Sequence, residues 1–119
     1  MTLLSPHFTA EEFSCNHCNK LPADKHPPQI LLDWLEVIRH EFDSPVIINS
    51  GYRCPTHNAN VGGAKSSQHL LGTAADIVVK GVDPVTVYAF CDTLVGDNGG
   101  VGRYNTFTHI DARGSKSRW

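Results

Sequence analysis

The sequence predicts a small α+β domain, a mainly antiparallel sheet with flanking helices, as one unit over residues 1–119. Two segments with helical spacing of apolar residues stand far apart in the chain, near residues 28–42 and 84–95. Short β-rich runs lie between and after them, at Val46–Ile48, Ala74–Val79, Val101–Tyr104 and Phe107–Asp111. A chain of 119 residues can close one hydrophobic core, and no repeat, low-complexity tract or linker divides it.

Each element has a local cause. Thr9-Ala10-Glu11-Glu12-Phe13 reads as one helical turn, with Thr9 as cap and Glu12 completing a capping box. Residues 14–26 are polar and irregular. Pro27-Pro28 opens the strongest helix, because proline is tolerated in a first turn. Along it Ile30, Leu31, Trp34, Leu35, Ile38 and Phe42 form one apolar stripe. Ser44-Pro45 stops that helix, Val46-Ile47-Ile48 forms a strand, and Ser50-Gly51-Tyr52 turns the chain. Pro55 to Asn60 reads as a short helix, and 61–67 as a glycine-containing loop. After the Ala74–Val79 strand, Asp83 caps a second helix with Pro84 at its first position, running to about Val95. Val87, Phe90, Cys91 and Leu94 supply its apolar face, and Gly96 to Gly100 turns into the last two strands.

Composition excludes several classes of function. Net charge is −2, so there is no electrostatic footprint for nucleic acid. No apolar run approaches the roughly 20 residues that span a bilayer, so no membrane insertion is expected. The first residues lack the basic start and apolar core of a secretory signal, so synthesis in the cytoplasm is expected. Two counts stand out: seven His, the commonest metal ligand, and four Cys, at 15, 18, 54 and 91. The cysteines are too few and uneven for a disulfide scaffold, and reduced thiols are expected rather than a disulfide-stabilised extracellular domain.

The chemistry concentrates in two stretches. In Ser67-Gln68-His69-Leu70-Leu71-Gly72-Thr73-Ala74-Ala75-Asp76, period two turns Asp76 away from Ala75 and Ile77. A carboxylate among such small residues must be paired or coordinated when buried. The alternative is a turn-capping Asp76 beside a solvated His69. In Thr106-Phe107-Thr108-His109-Ile110-Asp111, Phe107, His109 and Asp111 share one strand face. A cross-strand His–Asp hydrogen bond of purely structural value explains that stretch alone, but explains both stretches together poorly. His69, Asp76 and His109 would hold a tetrahedral zinc with one open position, the arrangement of a catalytic site.

Ser67-x-His69-x-x-Gly72-x-Ala74-x-Asp76 with a later His109-x-Asp111 resembles the zinc D-Ala-D-Ala carboxypeptidase family of peptidoglycan peptidases. That family shares a metal-site superfamily with lysostaphin-type peptidases and the hedgehog signalling domain. Ser50-Gly51-Tyr52-Arg53-x-Pro55-x-His57-Asn58, Val61-Gly62-Gly63 and Gly100-Val101-Gly102-Arg103-Tyr104 are similar to its small branch of phage lysins and murein endopeptidases. The similarity extends to Phe8–Phe13 and Arg118-Trp119.

The resemblance implies that Arg53 grips a substrate carboxylate and that Ser67 bonds substrate or orients the ligands. His57 would donate to substrate or to the oxyanion, or serve only as a structural helix residue, and Arg103 and Tyr104 would help stabilise the oxyanion. Better-known members place their catalytic acid three residues before the last zinc ligand, which here is Thr106, and some a His two before it, here Phe107. Neither can act as a base. Strand geometry then assigns that role to Asp111, with the alternatives that Asp111 only orients His109 or that Asp97 supplies the carboxylate.

Cys15-Asn16-His17-Cys18 resembles half of a structural zinc site, and Cys54 with His57 could in principle complete it. Nothing in the sequence shows them converging, so a single catalytic zinc is expected. The function implied is a monomeric peptidase acting on peptidoglycan peptides, as a carboxypeptidase or endopeptidase, without its own wall-binding domain. It would reach the periplasm or wall as a phage lysin does, or within a virion. The rival is a zinc-containing binding module that keeps the fold without the activity.

Overall fold

The structure, a computed structural model, describes residues 2–119; of the N-terminal reading, Met1 lies outside them. A two-stranded hairpin, β1 (Leu3–Ser5) with β2 (Phe8–Thr9), precedes the first long helix, α1 (Gln29–Phe42). The main sheet has five strands: β3 (Val46–Ser50), β4 (Ala74–Val79), β5 (Gly100–Arg103), β6 (Thr108–Asp111) and β7 (Ser117–Arg118). Its spatial order is β3-β4-β6-β5-β7, antiparallel except for the β5–β7 pair. A short helix α2 (Pro55–Asn60) follows β3, and α3 (Pro84–Val95) joins β4 to β5. The fold is α+β with a mainly antiparallel sheet and flanking helices.

Most local expectations hold in detail. The Glu12 carboxylate accepts the Thr9 amide at 2.6 Å, so the capping residue closes the turn at Ala10–Phe13. Pro28 sits one place outside α1, in extended backbone, and its carbonyl accepts from Leu31 and Leu32. Pro84 occupies the first turn of α3, with Asp83 as its N-cap. The β1–β2 hairpin and β7 were not expected: each is too short to carry a period-two pattern, and tertiary packing sets them. Strand β6 begins at Thr108 because Phe107 is still in the turn, where its carbonyl accepts the Tyr104 amide.

One face of the sheet makes the core. Ala75, Ile77 and Val79 of β4, Val101 of β5 and Ile110 of β6 pack with Leu31, Leu35 and Ile38 of α1 and Val87, Cys91 and Val95 of α3. The alternation that points these inward points their neighbours to the other face. Register makes that second face a row of polar groups: Asp76 lies opposite His109 on β6 and opposite Ser50 on β3, and Gly102 lies opposite His109 on β5. Among the described residues, no helix is long and apolar enough to cross a membrane.

Candidate metal centre

His69 reaches this polar face from a different kind of element. It rides on a single 3-10 turn, Gln68–Leu71, whose N-cap Ser67 accepts the His69 amide at 3.2 Å. Gly72 ends the turn with φ of 77°, and a Cβ there would strike the Lys25 backbone. The turn is therefore held at both ends, and it buries His69 to 2% exposure.

Three ligand atoms meet between this turn and the two central strands. His69 Nε2 lies 3.1 Å and His109 Nδ1 2.9 Å from the same Asp76 oxygen, Oδ1. A tetrahedral zinc at ~2.0–2.1 Å from its ligands spaces them by roughly 3.3 Å, close to both of these histidine–Asp76 edges. His69, Asp76 and His109 are all buried, and together they could hold a metal ion.

The remaining ring nitrogens fix the tautomers. His69 Nδ1 is 2.7 Å from the Gly51 carbonyl, which can only accept, so Nδ1 carries the proton. His109 Nε2 is 2.7 Å from Asp111 Oδ2, a carboxylate, so Nε2 donates. Each neutral imidazole then aims a lone pair, not a proton, at the Asp76 carboxylate. Two lone pairs and an anion pointing at one another repel unless a cation sits among them or the rings are protonated. In the protonated alternative the rings become donors: burial pushes the Asp76 carboxyl up, but hydrogen bonds from His109 and His69 then outweigh it and hold it well below the usual range. Burial pushes His109 down, while Asp111 and Asp76 carry it above its ordinary value.

A cleft of about 540 Å³ opens on this cluster. Arg53, Ser67 and Tyr104 line it, together with Phe107, Arg113 and Trp119. Arg53 is mostly buried and donates to Asp76 Oδ2 at 3.3 Å, Asn58 Oδ1 at 3.0 Å and Ser50 Oγ at 3.3 Å. Tyr104 stacks on Phe107 at 4.4 Å, and its hydroxyl accepts from the Trp119 indole at 2.9 Å.

Other candidates lie elsewhere. Asp111 is fully buried on the side of the His109 ring away from Asp76, and it does not line the cleft. Its oxygens accept from Arg113 Nε and NH2 at 2.8 Å each, from the Gly100 amide at 3.1 Å and from the Arg113 amide at 3.2 Å. Burial raises its carboxyl, but Arg113 and His109 hold it well below the usual range. His57 is absent from the cleft wall and stacks on His17 at 5.9 Å instead. Arg103 lies over the Tyr88 ring at 5.8 Å, on the helix side of the sheet, and Asp97 sits in a turn outside the cleft. Among the described residues, Asp76 is the only carboxylate in the cleft lining.

Arg113 escaped the sequence reading, and Trp119 and Asn58 entered it only as positions of the resemblance, without a role. Arg113 clamps Asp111 and lies over the Trp119 ring at 5.1 Å, and it follows Asp111 at the same spacing of two that links His109 to Asp111. Trp119 packs on the His109 ring at 5.0 Å, and a Cβ on Gly102 would lie 2.5 Å from its Nε1. Asn58 is buried, accepts from Arg53 and donates to the Ala64 carbonyl at 2.9 Å.

Comparison with known proteins agrees with this centre. The profile of the family described as peptidase M15 matches residues 6–111. The zinc D-Ala-D-Ala carboxypeptidase of Streptomyces albus G is 48% identical over 44 residues, a stretch that covers 36% of this chain and 17% of that protein. The chain thus matches less than a fifth of the length of that relative.

Proposed function

The chain belongs to the peptidase M15 family, and from that premise we propose that it is a zinc peptidase cutting amide bonds in peptidoglycan stem peptides or crosslinks. The observation that carries the proposal is the meeting of two imidazole lone pairs and a carboxylate at one point, each set by an acceptor behind it. The matched relative is a zinc D-Ala-D-Ala carboxypeptidase, which supports zinc as the ion and D-amino-acid peptides as the substrate class. Zinc there would act as a Lewis acid, polarising a carbonyl and lowering the pKa of water.

His69, Asp76 and His109 would hold the ion at the floor of the cleft. Gly51 and Asp111 keep the two imidazoles in the ligating tautomer, so we assign Asp111 a positioning role in place of the base role that strand geometry suggests. Arg53 receives a substrate carboxylate: its bonds to Asp76 and Ser50 are long, and the guanidinium has donors to spare. Ser67 caps the turn of His69 and offers its hydroxyl at the cleft wall. Tyr104, Phe107 and Trp119 form an aromatic wall that sheds water from the bound peptide. His57 has no place in this scheme.

Residues 1–119 act as one catalytic domain, as a monomer, in lysis or remodelling of a cell wall; a phage lysin is the context the sequence resemblance favours. The second reading, a zinc-containing binding module without turnover, is favoured by Thr106 and by the lack, among the described residues, of a second carboxylate in the cleft lining. Incubation with Gram-negative and Gram-positive peptidoglycan, with and without chelator, separates the two by mass spectrometry of released peptides. Release that zinc restores supports the peptidase and names its bond. No release from either wall, with zinc still bound, overturns it in favour of the binding module.

A further inference from the structure

The segment between the Ala10–Phe13 turn and α1 has almost no regular structure, a single 3-10 turn at Ala23–Lys25. Yet its first residues are tightly placed. Cys15 is 1% exposed, its amide donates to the Lys20 carbonyl at 2.9 Å, and its carbonyl accepts the Asn19 amide at 2.8 Å. Asn19 takes a left-handed φ of 57° to close this loop.

Three sulfurs converge inside it. Cys15, Cys18 and Cys54 Sγ lie within 4.8 Å of one another, and none is in a disulfide. Backbone donors point at two of them: the Cys54 amide at Cys15 Sγ and the His57 amide at Cys54 Sγ, both at 3.4 Å. Such amides favour charged sulfur, the form that binds metal. A disulfide within the cluster would leave one thiol over. The sequence supplies the group as two half-sites, Cys15-x-x-Cys18 and Cys54-x-x-His57, with the short ligand spacing of structural zinc sites. Zinc–sulfur bonds of ~2.3 Å separate tetrahedral sulfurs by roughly 3.8 Å, so the three sulfurs need to close by at most about 1 Å.

We propose that Cys15, Cys18, Cys54 and His57 bind a structural zinc ion, separate from the ion in the cleft. The closed four-ligand set is that of a structural rather than a catalytic zinc. His57 turns from its stack on His17 to complete it. The consequence reaches the cleft through one short path. Cys54 lies three residues after Gly51, whose carbonyl holds His69 Nδ1, and the next amide, of Tyr52, donates to Phe13 at 2.9 Å. Binding would tie the N-terminal segment to the loop that orients a catalytic ligand.

The test counts metal and reads its ligands in the whole chain. About two zinc ions per chain are expected, with about one left in His69→Ala and about one in Cys18→Ser. After exchange with cobalt, wild type and His69→Ala should show an intense near-ultraviolet sulfur-to-cobalt band, and Cys18→Ser should lose it. His57→Ala should keep the band but release the ion to a chelator at least about tenfold more readily. One ion per chain that vanishes in His69→Ala, or cobalt protein without a thiolate band, overturns the proposal. Unchanged retention in His57→Ala overturns that residue as the fourth ligand. The wild-type spectrum decides the question even if Cys18→Ser does not fold, and the His69→Ala count keeps it independent of the cleft.

Discussion

Asp111→Asn tests the positioning role directly, because it changes hydrogen-bond polarity with almost no change in shape. Five donors converge on the two oxygens of Asp111: the Gly100 amide, the Arg113 amide and Arg113 Nε on Oδ1, and His109 Nε2 and Arg113 NH2 on Oδ2. An asparagine offers one acceptor oxygen and one NH2. Keeping the larger set of donors satisfied puts its oxygen at the Oδ1 position and its NH2 against His109. His109 must then accept at Nε2, which moves its proton to Nδ1, the atom 2.9 Å from Asp76 that should ligate the metal. Loss of such an outer partner typically costs 10–100-fold in metal affinity, or about 1.4–2.7 kcal/mol. The assay is chelator competition for zinc at fixed pH, with turnover measured separately at saturating zinc. We expect zinc affinity to fall by about that factor and turnover at saturating zinc to stay within about tenfold of wild type. Wild-type zinc affinity with turnover reduced by roughly 10²–10⁴ would refute the positioning role and restore Asp111 as the base.

Three further outcomes can be checked with single variants. Arg53→Lys keeps the charge but loses the planar fork, and should raise KM for substrates ending in a carboxylate by about tenfold, with a smaller change for amidated analogues. Gly102→Ala would drive a methyl into the Trp119 indole, 2.5 Å away, and should displace that ring from His109; we expect a loss of about 1–3 kcal/mol in thermal or urea unfolding and weakened turnover. Glu36 accepts from Ser5 Oγ at 2.6 Å and from the His7 amide at 2.8 Å, with His7 Nδ1 at 2.6 Å. Burial raises the Glu36 carboxyl, but the bonds from Ser5 and His7 outweigh it and leave it below its ordinary value. A depressed carboxyl stabilises the fold above its unfolded-state pKa, ~4.3, and that stability is lost as pH falls through the folded-state value. Glu36→Gln should therefore cost about 1 kcal/mol near neutral pH, and the difference from wild type should shrink in calorimetry as pH drops below ~4.

The parts of the molecule that were legible in the sequence are those set by period. The α1 stripe is visible because Leu31, Leu35 and Ile38 repeat at helical spacing, and Asp76, His109 and the inward Ile77 and Ile110 follow from alternation on strands. Alternation also explains why Arg103 is not in the cleft: Gly102 faces His109, so its neighbour must face α3. Side chains on loops obey no such rule. Tyr104 reaches the cleft because a tight turn to Phe107 folds its ring back, and Trp119 because β7 pairs with β5, a contact between distant residues that no local pattern encodes. His57 shares a motif with Arg53 and Asn58, but on a short helix capped by Cys54 its ring stacks on His17, away from the cleft wall.

The two histidines are secured by unequal means, and this bears on how the centre responds to perturbation. His109 stands on the middle strand of the sheet, with a buried carboxylate behind it that Arg113 grips through two guanidinium bonds. A charge-assisted network of that kind resists displacement. His69 stands on one 3-10 turn and leans on a neutral carbonyl, that of Gly51, at the end of β3. Gly51 is fixed in turn by its packing on Phe13, where a Cβ would lie 2.8 Å from the Phe13 Cα, and by whatever holds the Cys54 loop. Geometry on the His109 side is thus intrinsic to the sheet. On the His69 side it depends on the N-terminal segment staying docked. Changes in residues 8–18, remote from the cleft in sequence, should therefore act on the metal through His69 and the Arg53 loop rather than through His109.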